Sequence, residues 1–199
     1  MYLGEFHSPS RINAMPTQSV PTRAVFESVL TPEYLQVTRI LHSALVGGPT
    51  LFAAGLLVFF FSASRPPAPA LQAVQTMDRL SVAHVGFTIV AYLLAPLLFR
   101  RVMSGTRLDP GGDSTTPDEL AAQALLLLRS AFIVRLAVLE GAALFGIAVC
   151  VLGVTGGVLY ADSLHWLNLG STLLLLLFGI LTFPTRDGLL DILDSSFRG

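Results

Sequence analysis

Four runs of about 20 residues with almost no charge constrain this chain more than any other feature of it. They are ILHSALVGGPTLFAAGLLVFFFSA from Ile40, LSVAHVGFTIVAYLLAPLLF from Leu80, a stretch from about Leu136 to Val154, and LHWLNLGSTLLLLLFGILTF from Leu164. A helix of that length crosses the hydrocarbon core, and helix is one of only two ways to satisfy every backbone N–H and C=O in lipid. The expected fold is therefore all-α and integral to the membrane. Its transmembrane helices are expected at about 37–63, 79–101, 118–154 and 163–184. Composition agrees: 13% of residues are charged and 53% hydrophobic, where soluble domains carry about a quarter charged. A net charge of −1 gives no electrostatic case for nucleic acid, so the lipid bilayer is the first partner expected.

Around these spans the chain divides into two helical hairpins in tandem, residues 31–103 and 116–187, joined by a polar loop at 104–115. Residues 1–30 read as a disordered polar tail with Pro9, Pro16 and Pro21, and 188–199 as a short C-terminal tail. Met15 is an alternative start. FSAS at 61–64 loosely fits a signal-peptide cleavage site, but the apolar run before it is too long for an h-region, so a retained helix is expected. Thr31-Pro32-Glu33 and Thr116-Pro117-Asp118-Glu119 each supply an N-cap, a proline at the first helical position and an acid in the first turn. The second also completes a capping box. Helices starting there and running to the ends of their apolar spans are roughly 50 Å long, so the first and third are expected to exceed the ~30 Å core. The Pro-rich loop from Ser64 is expected to be stiff and extended. Arg23, Arg39, Arg100, Arg101, Arg107, Arg186 and Arg198 fall on one side, against Arg65 and Arg79 on the other, which predicts cytoplasmic termini in a bacterial inner membrane.

A shift of 93 residues lays the segment from His42 over that from Arg135. Ala44, Gly48 and Phe52 then meet Ala137, Gly141 and Phe145. A shift of 84 pairs Gly86 and Thr88 with Gly170 and Thr172. These matches suggest parallel repeats about an axis along the membrane normal. Ala44-x-x-x-Gly48 and Ala137-x-x-x-Gly141 have the small-residue spacing that lets helices approach closely, predicting contact between the first and third helices, with Pro49 bending the first.

Arg129, Arg135 and Glu140 interrupt the third span. Arg129 and Glu140 lie on one helix face about 16 Å apart, whereas Arg135 is turned roughly 140° from Glu140. A carboxylate in the core costs a few kcal/mol unless it is protonated, paired or hydrated. The repeat places His42 level with Arg135 and Arg39 one turn below. The expected site is thus a polar cluster of Glu140 with Arg39, His42, Arg135 and Arg129. Its roles are a lock on helix packing or a proton relay.

Two hairpins with one intramembrane carboxylate resemble the duplicated proteolipid of rotary ATPases in architecture. That family carries the carboxylate on the second helix of a hairpin and has a glycine-rich first helix. Here Glu140 lies on a first helix, in LEGAALF, and no glycine repeat is present. His84 and His165 fall near the same membrane face, which makes a bis-His haem site geometrically possible, but interfacial hydrogen bonding is the expected role. Tyr160 and Trp166 fit an aromatic belt at that face. Asp109, Asp113, Asp118 and Glu119 read as a solvated loop and helix cap, and Cys150 as a buried small hydrophobe. No nucleotide loop, zinc spacing or catalytic triad appears, so no cofactor, metal or enzymatic activity is expected. The function expected is an accessory or scaffolding subunit of a larger membrane complex, partnered by other membrane subunits or by itself. The alternative is a small oligomeric transporter or proton-conducting protein that titrates Glu140.

Overall fold

The computed structural model describes residues 21–105 and 116–198, and all regular structure among them is helical. The elements are α1 (Arg23–Val29), α2 (Pro32–Ser62), α3 (Leu71–Gly105), α4 (Pro117–Thr155) and α5 (Val158–Ala161). A 3₁₀ helix (Ser163–Leu169), α6 (Gly170–Leu181) and α7 (Arg186–Arg198) follow. Four are long and apolar enough to cross a membrane: α2, α3, α4, and the 3₁₀ helix continued by α6. Both expected caps are formed. The Thr31 hydroxyl accepts from the Tyr34 amide at 3.2 Å. Thr116 and Glu119 exchange backbone and side-chain bonds at 2.8 and 3.3 Å.

The bundle is organised around α4. This helix is apolar on every side, and an all-round apolar helix is stable only where every side is covered by protein or lipid. Here protein covers most of it, from Leu120 and Ala121 at one end to Gly153 and Val154 at the other. α3 packs along one side of α4, while α2 and α6 pack on α4 and on each other. α2 and α3 do not pack along one another, so the first pair of spans is not a packed hairpin as the repeat expects, although α4 and α6 do pack. The physical reason lies in the glycines. A Cβ at Gly153 would come within 2.7 Å of Met77 of α3, and one at Gly179 of α6 within 2.5 Å of Val46 of α2. Close approach thus draws α3 to α4 and α2 to α6. The connection between α2 and α3 keeps them apart, with Pro66 seated on Gly157 (φ 78°), where a Cβ would meet it at 3.1 Å.

Small side chains on α4 let two apolar layers stack along its middle. Leu136, Leu139 and Ala143 meet Val46, Ala95 and Leu175. Ile147, Cys150 and Val154 meet Ala53, Leu56 and Leu159. Cys150 is fully buried there, its thiol 3.7 Å from the His165 carbonyl oxygen. α2 runs unbroken through the buried Pro49. The outward faces keep Leu51 and Phe52 of α2, Ile89 and Leu93 of α3, and Leu173 and Leu177 of α6 exposed, as hydrocarbon solvation requires.

Each end of the bundle is closed differently. At the end carrying both described termini, α1, the first turns of α4 and α7 form a separate core of Phe26, Leu30, Leu125, Leu128, Leu189 and Leu193. The segments read as tails therefore contain helix: α1 within 1–30, and α7 (Arg186–Arg198) over the described part of the second. The remainder of the first tail, residues 1–20, and loop residues 106–115 lie outside the described residues. Arg23 bridges to Asp191 at 3.0 Å and Glu27 at 3.3 Å, and these hydrogen bonds, Asp191 first, raise its already high pKa. At the opposite end Phe60 stacks on Tyr160 at 4.4 Å and meets Trp166 edge-on at 4.8 Å. The Tyr160 hydroxyl donates to the Phe60 carbonyl at 3.1 Å.

Candidate functional site

Of the residues expected to cluster around Glu140, His42 and Arg129 line one small cavity between α2 and α4, but none of Arg39, His42, Arg129 and Arg135 pairs with the carboxylate. Arg39 donates through Nε to the Pro184 carbonyl at 3.1 Å, and His42 donates through Nε2 to the Gly179 carbonyl at 2.8 Å. Both donate to carbonyls at or just past the C-terminal end of α6, where intrahelical donors run out and the helix dipole favours positive charge. Arg135 lies over the rings of Phe178 at 4.4 Å and Phe99 at 5.5 Å. Arg129 lies over Tyr34 at 4.1 Å, and the Tyr34 hydroxyl donates to the Leu125 carbonyl. Aromatic faces hold these guanidiniums, at about 0.5–2 kcal/mol each, in place of a carboxylate.

Glu140 faces α2. Its Oε1 lies 3.9 Å from the position a Cβ on Gly48 would occupy. It is half-buried, and among the described residues it forms no ion pair or hydrogen bond. Gly48 also begins a groove of about 580 Å³ between α2 and α4, walled by Leu51, Phe52, Gly55, Phe59, Ile147 and Val151. α2 and α4 therefore do touch near Gly48, but Gly141 meets nothing within 4 Å, and Ala44 and Ala137 are exposed. The first and third helices thus meet at Gly48, as expected, but Ala44 and Ala137 face outward and do not extend the contact.

The most highly connected polar site lies elsewhere, between α3, α4 and the broken fourth span. His84 is buried against α4. Its Nδ1 is 2.9 Å from Asn168 Oδ1, and its Nε2 is 3.0 Å from Ser171 Oγ, 3.1 Å from Thr88 Oγ1 and 3.2 Å from the Ala142 carbonyl. Asn168 Nδ2 donates to Ser81 Oγ at 2.9 Å and to the His165 carbonyl at 2.8 Å. Ser81 Oγ is 3.2 Å from His165 Nδ1. His165 Nε2 then lies 3.5 Å from Asp78 Oδ1 and 4.0 Å from Asp162 Oδ2. A continuous polar chain thus runs from the end carrying Asp78 and Asp162 to the side of α4 at Ala142.

Hydrogen-bond accounting fixes the protons along this chain. A backbone carbonyl only accepts, so the Asn168 amide must point its nitrogen at His165 and its oxygen at His84. His84 therefore carries its proton on Nδ1 when neutral, and Nε2 accepts from the Thr88 or Ser171 hydroxyl. The carboxylates of Asp78 and Asp162, which only accept, face His165 Nε2 and favour its proton on that nitrogen, with the Ser81 hydroxyl then donating to Nδ1.

Two local features make the site. Gly146 leaves the notch through which His84 and Ser171 reach the α4 backbone. A Cβ there would collide with the Asn168 carbonyl oxygen and stand 2.8 Å from both His84 Nε2 and Ser171 Oγ. The 3₁₀ turn aligns residues three apart, which brings His165, Asn168 and then Ser171 onto one face. The sequence carried this signal as Ser81, His84 and Thr88 at helical spacing opposite His165, Asn168 and Ser171 at spacing of three. Only the two histidines stood out from it, as haem candidates. No family model, curated protein or solved structure matches this chain.

Proposed function

We propose that this protein is an accessory or scaffolding subunit that seats a transmembrane helix of another membrane protein in the groove between α2 and α4. The observation that carries this reading is Glu140, a carboxylate with no partner at the foot of an apolar groove. A lone carboxylate in hydrocarbon is costly, and a donor or cation on a neighbouring helix offsets that cost. Gly47, Gly55 and Gly141 have open space where a Cβ would be, which lets such a helix come close. Arginine placement supports cytoplasmic termini in a bacterial inner membrane, with α1, α7 and the first turns of α4 outside the hydrocarbon on that side. α4, at 39 residues, is then roughly 58 Å long and exceeds the core.

Purification in mild detergent tests the reading. A defined membrane protein is expected to co-purify with the native chain and to be reduced at least tenfold by Glu140→Gln, with thermal stability unchanged. Equal recovery from both chains overturns it. A second reading, proton conduction, draws on the continuous chain of polar side chains from Asp78 through His165, Ser81 and Asn168 to His84. It requires proton flux in liposomes that falls in both Glu140→Gln and His84→Gln.

A further inference from the structure

The polar chain ends beside a second groove, of about 520 Å³, whose walls are Val82, Val85, Leu164 and Leu167 and whose head is Asp78, Ser81, His165 and Asn168. This combination of apolar walls and a few converging polar groups is the usual form of a small-molecule site. The head has one unused donor. His165 is 6% exposed, its Nε2 is buried without a hydrogen bond, and the accounting above places a proton on that nitrogen. The carboxylate of Asp78, 3.5 Å away, is an acceptor with 62% of its side chain exposed.

A donor and an acceptor that close together match a group that both accepts and donates at a single atom, which is a hydroxyl. A carbonyl satisfies His165 but turns its lone pairs on Asp78, while an ammonium satisfies Asp78 but repels the imidazole proton. A phenolic hydroxyl, with a pKa of about 10 in tyrosine, donates to a carboxylate more strongly than an alkyl hydroxyl does. Val82 and Val85 of α3 and Leu164 and Leu167 of the 3₁₀ segment offer apolar walls to its flat ring. The walls continue along the outward faces of α3 and the fourth span, where an apolar tail is solvated by lipid.

We propose that this groove binds a membrane-soluble phenol with an apolar tail, of the quinol type, through a hydroxyl that accepts from His165 Nε2 and donates to Asp78. The site is separate from Glu140 and does not depend on the docking role assigned to it.

Anaerobic equilibrium dialysis of the full chain in detergent tests this with a decyl-substituted benzoquinol, the matching quinone and 1-decanol as probes. Saturable quinol binding is expected, at least tenfold tighter than that of the quinone or the alcohol. Asp78→Asn, an exposed position, is expected to reduce the preference for quinol over quinone below threefold. Val85→Trp fills the groove from an exposed wall position outside the polar chain and is expected to abolish saturable binding of either ring compound. Equal affinity for quinol and quinone overturns the proposal, as does an alcohol that binds as tightly as the quinol. Uptake that is unchanged in Val85→Trp reports micelle partitioning and equally overturns it.

Discussion

Gly146 sets the sharpest requirement on a single residue. Its missing side chain lets a buried histidine and serine reach the backbone of the central helix. Gly146→Ala is expected to destabilise the bundle by about 2 kcal/mol or more, read as a fall in thermal midpoint in detergent. Gly141→Ala, one and a half turns away with open space around it, is expected to change the midpoint little. The sequence treated these glycines in the opposite order. Gly141 matched Gly48 under the repeat shift and Gly146 matched nothing, because residue identity reports small size but not which side of a helix is covered. The arginines show the same limit. Spacing located Arg39, His42, Arg129 and Arg135 near Glu140 along the bundle. It did not reveal that aromatic rings and the carbonyls around the end of α6 would hold them.

At the scale of elements, what local chemistry dictates was legible and what packing dictates was not. The caps at Thr31 and Thr116 and the four spans follow from hydrogen-bond donors and apolar length, which a sequence displays directly. The centrality of α4 does not, since a helix that is apolar all round is equally suited to lipid and to a protein interior. The 3₁₀ turn in the fourth span was likewise hidden, although the spacing of His165, Asn168 and Ser171 carries its period. α7 is legible in retrospect as an amphipathic segment whose Leu189, Leu190 and Leu193 cover α1 and the start of α4. Leu193 is fully buried, so Leu193→Asp is expected to release α7 and cost several kcal/mol, since it buries a charge without a partner. Limited proteolysis checks this. Cleavage within residues 186–198 is expected to accelerate, while the spans stay intact.

The whole molecule is a bundle solvated by hydrocarbon around α4, with a hydrogen-bonded polar chain on one side that ends at His165 Nε2 and an unpaired carboxylate, Glu140, on the other. Its orientation is testable with single cysteines, because the native Cys150 is fully buried and silent to impermeant reagents. A cysteine in place of Ala68, in the connection between α2 and α3, is expected to react with an impermeant maleimide from outside intact cells. One in place of Ser195, on α7, is expected to react only after the membrane is opened. The most direct measurement is site-specific photo-crosslinking in native membranes, with the probe at Phe52 in the α2/α4 groove and at Leu173 on the outer face of α6. The account predicts a discrete protein adduct from position 52, lost in Glu140→Gln, and lipid adducts alone from position 173. Lipid adducts alone from both positions would contradict it.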